Sequence, residues 1–97
     1  RAATLAVGYA DGYPRALSGR GTVSLHGRPA RVLGRVCMDQ LLVDATDTGA
    51  AVGDVATLIG ADGPERITAE EAAEAAGTIA NELLCRIGPR VPRVYLR

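Results

Sequence analysis

Short runs of alternating apolar and polar residues dominate the first two-thirds of the chain. Residues 2–7 form a brief apolar run, which predicts the first strand. Farther along, Val23 and Leu25 alternate with polar residues, His26 and Gly27 interrupt the alternation, and it resumes directly afterwards. Because a two-residue interruption containing glycine is typical of a tight turn between paired strands, this stretch predicts a β-hairpin.

The middle of the chain predicts two further strands. Residues 35–45 (RVCMDQLLVDA) predict one long strand, with a bulge near Asp39 and Gln40, where the alternation fails. A loop rich in glycine and threonine follows at residues 46–53, and residues 54–60 (DVATLIG) predict another short strand.

The pattern changes to helical spacing in the last third of the chain. Thr68 precedes Glu71 by three residues, which is the capping-box arrangement at the start of a helix. An alanine-rich run follows and ends at Gly77, a residue typical of helix ends. These signals predict a short helix over about residues 68–76.

A second short helix is predicted over about residues 79–87, because Ile79, Leu83 and Ile87 recur at helical spacing. The final segment, RVPRVYLR, predicts extended chain, and Pro92 within it indicates an edge position. The complete pattern therefore predicts a mainly β domain with two short helices.

Length and charge narrow the possible functions. The 97 residues suffice for one domain with a small core, and the 11 acidic residues balance the 11 basic ones. This balance favours neither nucleic acid nor an anionic membrane as a partner, and no apolar run has the length of a membrane span. The basic residues are all arginine, and lysine is absent. Because the chain begins inside an apolar run, we expect it to be part of something larger.

Candidate chemistry is sparse. Cys37 and Cys85 have no closely spaced partner and His26 is the single histidine, so neither a metal site nor a disulfide framework is predicted. This cysteine usage fits the cytoplasm. No nucleophile elbow, phosphate loop, paired-histidine motif or dinucleotide fingerprint occurs. His26 lies at the predicted hairpin tip, where a role in the turn is favoured over catalysis.

Four segments carry a specific resemblance that extends over nearly the whole chain. In order, they are VGYADGYPR, GRPARVLGRVCMDQLLVD, VGDVATLIG and IGPRVPRVY. Their order and spacing resemble the C-terminal domain of alanine racemases, homodimeric isomerases that depend on pyridoxal phosphate and supply D-alanine for the cell wall. The resemblance implies that residues 1–97 are a small, barrel-like β domain. In that family a separate N-terminal (β/α)8 barrel holds the cofactor, and the β domain closes the active site of the partner subunit.

The resemblance also implies where the two catalytic bases lie. The family uses a lysine of the barrel and a tyrosine of a Ser-Tyr-Gly segment, which act on opposite faces of the amino-acid substrate. This sequence has no lysine, and neither Tyr9 nor Tyr13 corresponds to the catalytic tyrosine. We therefore predict no catalytic residue within these 97 residues, and no activity for them in isolation.

Met38 and Tyr9 are the principal site residues that the resemblance implies. Met38 matches the family methionine whose backbone N–H binds the substrate carboxylate across the dimer, a role that leaves its side chain free to fill the core. Tyr9 matches a tyrosine that narrows the substrate entrance and directs its hydroxyl at the partner's cofactor pocket. Packing over a strand end is the alternative for Tyr9, and packing is the role predicted for Tyr13.

Four further residues match the family's substrate corridor. Arg15 and Arg35 match arginines that would attract the substrate carboxylate, although without the resemblance both are interpreted as solvated surface groups. Asp39, together with Cys37, flanks Met38 and is expected to shape the approach to it. Ile79 resembles another entrance residue, and an ordinary core contact is its alternative role.

Asn81 is a departure from the family pattern. Alanine racemases usually carry a tyrosine at this position, close to the cofactor phosphate and the side-chain pocket of the substrate. Asparagine is smaller and both donates and accepts hydrogen bonds, and it occurs here in racemases of the vancomycin-resistance type, which also act on serine. Our hypothesis is that Asn81 makes room for a hydroxymethyl group and shifts the preference about tenfold. A polar residue in the first turn of a helix is the alternative.

Two other functional classes stay open at this point. A different pyridoxal-phosphate barrel enzyme, such as an amino-acid decarboxylase, has a similar architecture, but the Gly-Tyr-Ala-Asp-Gly and Cys-Met-Asp segments argue against it. A module that only dimerises or binds a partner is the third possibility, because the chain carries neither base. Absence of an upstream barrel with a cofactor lysine would favour the interaction module over an enzyme. The partners implied by the racemase are a second subunit, the N-terminal barrel and a small amino acid.

Overall fold

The computed structural model describes residues 1–96. The strands are β1 (Ala2–Leu5), β2 (Thr22–Leu25), β3 (Arg28–Leu33), β4 (Leu41–Asp44), β5 (Ala56–Thr57), β6 (Gly60–Asp62) and β7 (Glu65–Ile67), and the helices are α1 (Ala69–Ala76) and α2 (Ala80–Cys85). Two short 3-10 helices, at Tyr9–Asp11 and Arg15–Leu17, lie in the segment between β1 and β2. The predicted class, mainly β with two short helices, is confirmed.

The five strands β1 to β5 form one antiparallel half-barrel sheet in the order β1-β4-β3-β2-β5. The predicted hairpin is confirmed, since Leu25 pairs with Arg28 across a turn of two residues. Both turn residues adopt positive φ, 55° at His26 and 75° at Gly27, which is the geometry that suits a tight hairpin.

The core lies against one face of this sheet and consists mainly of aliphatic side chains. The largest fully buried ones are Leu17, Leu41, Val23, Val32 and Val43. Burying each of them contributes about 1.5–3 kcal/mol relative to exposure. The core therefore supplies most of the stability of the sheet.

Tyr13 packs with these aliphatic residues and is 8% exposed. Burial raises the pKa of its phenol to about 12. We predicted that Tyr13 would pack as a loop aromatic over the domain surface; it does pack, but as part of the buried core.

The long strand predicted over residues 35–45 is wrong in its first half, because β4 begins only at Leu41. The carbonyl groups of Cys37 and Met38 accept hydrogen bonds from the backbone of the first 3-10 helix, not from a neighbouring strand. A tertiary contact with a distant loop therefore replaces the sheet pairing that the local pattern suggested.

The bulge predicted near Asp39 and Gln40 is also wrong, since a bend occupies this position. The Cys37 N–H donates to the Gln40 carbonyl at 3.0 Å and closes the bend, with Met38 and Asp39 at its tip. Met38 therefore lies outside β4, which begins at Leu41.

The first helix is confirmed with its capping box. The Thr68 hydroxyl accepts a hydrogen bond from the Glu71 N–H at 3.1 Å, and the Glu71 carboxylate accepts one from the Thr68 N–H at 3.2 Å. Gly77 follows the last turn with a φ of 78°. The second helix is confirmed in place but is shorter than predicted, since Ile79 is its N-cap and its last residue is Cys85.

The strand predictions for the rest of the chain are only partly correct. The strand predicted over residues 54–60 contains only the two residues of β5 and the first residue of β6, and the separate hairpin of β6 and β7 was not predicted. Residues 90–96 belong to no strand, and Arg97 lies outside the described residues. Within residues 1–96, no helix has the length and apolar character needed to cross a membrane.

Candidate functional site

The loop of residues 8–12 packs edge to edge against the Cys37–Met38 backbone. The Tyr9 N–H donates to the Cys37 carbonyl at 2.9 Å, and the Ala10 N–H donates to the Met38 carbonyl at 3.0 Å. A β-carbon on Gly8 would overlap both of these carbonyl groups. Glycine at this position therefore permits the close approach, although the backbone of Gly8 is extended and any residue can adopt its φ of −152°.

The opposite side of the same loop contacts the segment that follows α2. The Gly88 N–H donates to the Asp11 carbonyl at 3.0 Å. A β-carbon on Gly12 would lie 2.5 Å from the Arg86 carbonyl oxygen, and one on Gly88 would lie 3.0 Å from that of Ala10. Glycines on both segments therefore allow this loop to lie between the bend at Met38 and the chain after α2.

The Asp11 side chain is the polar centre of this arrangement. Its Oδ2 accepts the Gly8 N–H at 3.1 Å, and both carboxylate oxygens accept from Arg90, at 2.6 Å from Nε and 2.8 Å from Nη2. These hydrogen bonds, first the one from Arg90 and then the one from Gly8, hold the pKa of Asp11 below its ordinary value of 3.8. The carboxylate is therefore a charged structural anchor at neutral pH and not a proton donor.

The sequence reading missed both Asp11 and Arg90. The two residues are separated by 79 positions, and no periodic pattern connects them. The only local signal was an aspartate between two glycines in the loop that follows the first strand.

Tyr9 lies at the surface next to this anchor and is 41% exposed. The guanidinium carbon of Arg15 lies 5.5 Å from the centroid of its ring, which is the geometry of a cation–π contact. The structure therefore brings together two of the predicted site residues, and Arg15 restrains the Tyr9 ring.

Met38 has an exposed side chain and a backbone N–H without a partner in residues 1–96. The side chain is 54% exposed, so it does not fill the core. The Met38 carbonyl accepts from Ala10, whereas its N–H donates to no acceptor among residues 1–96. Asp39 is also exposed and lies 3.3 Å from Nη2 of Arg90, and Cys37 is an exposed free thiol. The tip of the bend thus offers one free backbone donor beside a carboxylate.

The other predicted site residues are Arg35, two positions before Cys37, and Ile79 and Asn81, at the start of α2. Arg35 is exposed, and its guanidinium has no hydrogen bond or ion pair within the described part of the chain. Ile79 and Asn81 are exposed at the start of α2. An open groove runs from Tyr9 and Arg15 toward this helix, although neither Ile79 nor Asn81 lines it.

The fold and the loop cluster define a small β domain. At the loop cluster its exposed surface presents an aromatic ring, arginine side chains and one backbone N–H without an acceptor in residues 1–96. The family described as "Alanine racemase, C-terminal domain" matches residues 1–95, and the chain belongs to that family. The resemblance found in the sequence is confirmed, and this match favours a racemase over a decarboxylase.

Individual relatives agree with this assignment. The chain is 53% identical to an alanine racemase of Halothermothrix orenii over 94 residues, which are 96% of this chain and 25% of the relative. It is also 53% identical to an alanine racemase of Geobacter sulfurreducens over 96 residues, covering 97% of this chain and 25% of the relative. The chain thus spans about a quarter of the length of the curated relatives it matches.

Solved structures show the same similarity. The alanine racemase from the D-cycloserine producer Streptomyces lavendulae superposes with a TM-score of 0.91 at 49% identity, over 99% of this chain and 25% of that one. The enzyme from Bartonella henselae, solved with covalently bound pyridoxal phosphate, superposes with a TM-score of 0.87 at 38% identity, over 98% of this chain and 27% of that one.

Proposed function

We propose that residues 1–97 form the C-terminal domain of a longer alanine racemase, an isomerase that interconverts L- and D-alanine. The observation that carries this proposal is the family match over residues 1–95, together with the backbone contacts between the Tyr9 loop and the Met38 bend. On this proposal the domain works with an N-terminal barrel of the same protein and with a second subunit.

The residues of this chain suit the entrance of a pyridoxal-phosphate site, but none of them can hold the cofactor covalently. The sequence contains no lysine, so these residues offer no side-chain amine to hold the cofactor covalently. When bound, pyridoxal phosphate takes up the electron pair left behind as the α-proton leaves an amino acid. On this proposal, the cofactor anchor and the two proton-transferring groups lie outside residues 1–97.

Met38 binds the substrate carboxylate through its backbone N–H in this proposal. That N–H is left without an acceptor in residues 1–96, and the hydrogen bond from Ala10 to the Met38 carbonyl fixes the orientation of the bend. A rigid backbone donor aimed at an anion requires little rearrangement on binding. The amide serves the active site of the other subunit of a homodimer, which fits the exposure of this surface.

Tyr9 forms the wall of the substrate entrance. Its ring is restrained by Arg15, and its exposed face excludes water while the hydroxyl remains able to form a hydrogen bond. Arg15 and Arg35 attract the carboxylate of an incoming amino acid, and Asp39 balances part of their charge. Ile79 supplies apolar surface at the same entrance.

Asn81 sets the substrate preference between alanine and serine. Its exposed amide on the first turn of α2 is free to face the substrate pocket or the cofactor phosphate of an assembled enzyme. An amide at this position leaves more space than a tyrosine and can donate to a hydroxyl group. Since one such hydrogen bond contributes about 0.5–1.5 kcal/mol, we expect about a tenfold effect on the preference for serine over alanine.

The exposed thiols of Cys37 and Cys85 are unpaired, which supports a cytoplasmic location for this enzyme.

The test is racemisation by the full-length protein with pyridoxal phosphate, using L-alanine and L-serine for the wild type and for Asn81→Tyr. We expect both substrates to racemise in the wild type, and Asn81→Tyr to lose about tenfold in kcat/KM for serine relative to alanine. Equal effects on both substrates would contradict the specificity role of Asn81. Absence of D-alanine formation by the wild type would contradict the racemase itself.

A further inference from the structure

Two segments that carry proposed site residues, the Tyr9 loop and the Met38 bend, meet at a guanidinium group from a third segment. Arg90 donates to both carboxylate oxygens of Asp11, in the Tyr9 loop, at 2.6 and 2.8 Å. Its Nη2 also lies 3.3 Å from Oδ1 of Asp39, at the tip of the Met38 bend. The Arg90 side chain itself lies on the segment that follows α2.

The contact with Asp11 differs from an ordinary surface ion pair, which contributes little because water and salt screen it. The side chain of Asp11 is 6% exposed, although that of Arg90 is 60% exposed. The two short hydrogen bonds use the planar fork of arginine, which fixes direction as well as distance. The guanidinium therefore restrains the orientation of the carboxylate and of the loop that bears it.

This restraint acts directly on the two principal site residues. Tyr9 and Asp11 belong to the same single turn of 3-10 helix, and Met38 directly precedes Asp39. The carboxylates of Asp11 and Asp39 both contact the guanidinium of Arg90, so this side chain connects the two loops. Two backbone hydrogen bonds, donated by Tyr9 and Ala10, also connect the two loops.

We propose that Arg90 is a positioning residue of the racemase, which sets the separation of the Tyr9 ring and the Met38 amide by clamping Asp11 to Asp39. The proposal rests on the function proposed above. Arg90 acts through these two loops and need not touch the substrate. A shift of about 1 Å in the loops can cost about 100-fold in rate, so loss of the clamp impairs binding and turnover without unfolding the domain.

A different role for Arg90 is simple attraction of the substrate carboxylate, and substitutions at Asp11 and Arg90 separate the two roles. Under attraction, Asp11→Asn makes the site more positive and lowers KM for alanine. Under positioning, Asp11→Asn breaks the bidentate contact and raises KM. Arg90→Lys keeps the charge but cannot reproduce the fork, so it restores the activity only if attraction is the role.

The experiment compares the full-length wild type with Arg90→Gln, Arg90→Lys and Asp11→Asn. Arg31→Gln, at an exposed arginine of β3 without an ion pair in residues 1–96, is the matched control for loss of charge. For each protein we measure kcat and KM for L-alanine at a temperature below the unfolding transition. We expect KM to rise at least about tenfold in all three clamp variants and to stay at the wild-type value in the control.

Hydrogen exchange provides a readout that does not depend on racemase activity. The amide hydrogens of Tyr9 and Ala10 donate across the two loops, so they report on the contact directly. We expect both to exchange faster in Arg90→Gln and Asp11→Asn than in the wild type. The amides paired within the β2–β3 hairpin, which donate to neither loop, should exchange at the wild-type rate, which shows that each variant is folded.

Each result has a defined meaning for the proposal. Unchanged exchange at Tyr9 and Ala10 in Arg90→Gln would overturn the clamp. A lower KM in Asp11→Asn, or full restoration of activity in Arg90→Lys, would overturn it in favour of attraction. If the wild type does not racemise alanine, the proposed function fails, and the exchange of these amides alone decides whether Arg90 positions the loops.

Discussion

Two ends of the domain are each organised by a buried or half-buried aspartate, but with different partners. At the hairpin end, Asp62 accepts from the Ser24 hydroxyl at 2.7 Å and from the Gly27 N–H at 2.8 Å. At the loop end, Asp11 accepts from the Gly8 N–H and from the guanidinium of Arg90. Neutral donors thus hold one aspartate, and a cation from a distant segment holds the other.

The difference is that the hairpin end is specified locally and the loop end is not. The hairpin turn forms from adjacent residues with left-handed backbone, and its aspartate only reinforces it. The loop end has no regular strand pairing, so its geometry depends on close glycine contacts and on one ion pair. We therefore expect changes at the hairpin end to alter stability, and changes at the loop end to alter substrate binding.

The largest expected effect is on stability at the hairpin end. Leu25 is 3% exposed in β2, so Leu25→Ala in the full-length protein should lower the free energy of unfolding by about 2–5 kcal/mol. Below the unfolding transition its KM for alanine should equal the wild-type value. Chemical denaturation and steady-state kinetics measure the two quantities. An increase in KM as large as that of a loop-end variant would contradict the expectation that changes at the hairpin end leave substrate binding intact.

Gly8→Ala should have the largest effect on activity at the loop end. Its β-carbon would overlap the Cys37 and Met38 carbonyls and push the Met38 bend away from the loop. We expect kcat/KM for alanine to fall about 100-fold, with a stability loss of about 1–3 kcal/mol. Gly63→Ala is the control, because its φ of 59° brings backbone strain but no atom lies within 4 Å of the added carbon. Equal activity in the two variants would refute the role of the close contact.

A smaller effect is expected where Arg15 restrains the Tyr9 ring. An exposed cation–π contact contributes about 0.5–1 kcal/mol, so Arg15→Leu should raise KM for alanine about 2- to 5-fold. Arg66→Leu, on the exposed face of β7, removes the same charge away from the entrance. Steady-state kinetics at two salt concentrations separates the contact with the ring from long-range attraction, since only the latter falls with salt.

The smallest effect concerns acid pH. The pKa of Asp11 is lower in the folded protein than its ordinary value of 3.8, so its contribution to stability is complete above pH 3.8 and is lost as the pH falls through the lower, folded-state value. The difference in unfolding temperature between the wild type and Asp11→Asn should therefore be constant from pH 7 to pH 5 and shrink below about pH 4. A difference that instead shrinks between pH 7 and pH 5 would contradict the charged state of Asp11.

The residues that sequence reasoning placed correctly are those whose structure depends on near neighbours. The hairpin turn at His26 and Gly27 and the capping box at Thr68 each follow from a few adjacent positions, and both are confirmed. The family resemblance, carried by whole segments, also identified the rim residues Tyr9 and Met38, although their roles remain predictions.

The sequence-based predictions failed where contacts with distant parts of the chain override the local preference for a strand. Residues 35–40 were predicted to be part of a strand, but the carbonyls of Cys37 and Met38 accept hydrogen bonds from Tyr9 and Ala10 in a distant loop. Arg90 and Asp11 carry no pattern of their own, so their contact emerges only in the folded chain. Since these contacts build the candidate site, the sequence indicated its members better than its geometry.

The most direct test of the contrast between the two ends is a side-by-side measurement of kcat/KM for L-alanine. It uses full-length Gly8→Ala and Leu25→Ala at one temperature at which both remain folded. A loop end that shapes the substrate site predicts a loss of about 100-fold in Gly8→Ala and wild-type activity in Leu25→Ala. The same loss in both variants, or full activity in Gly8→Ala, would contradict it.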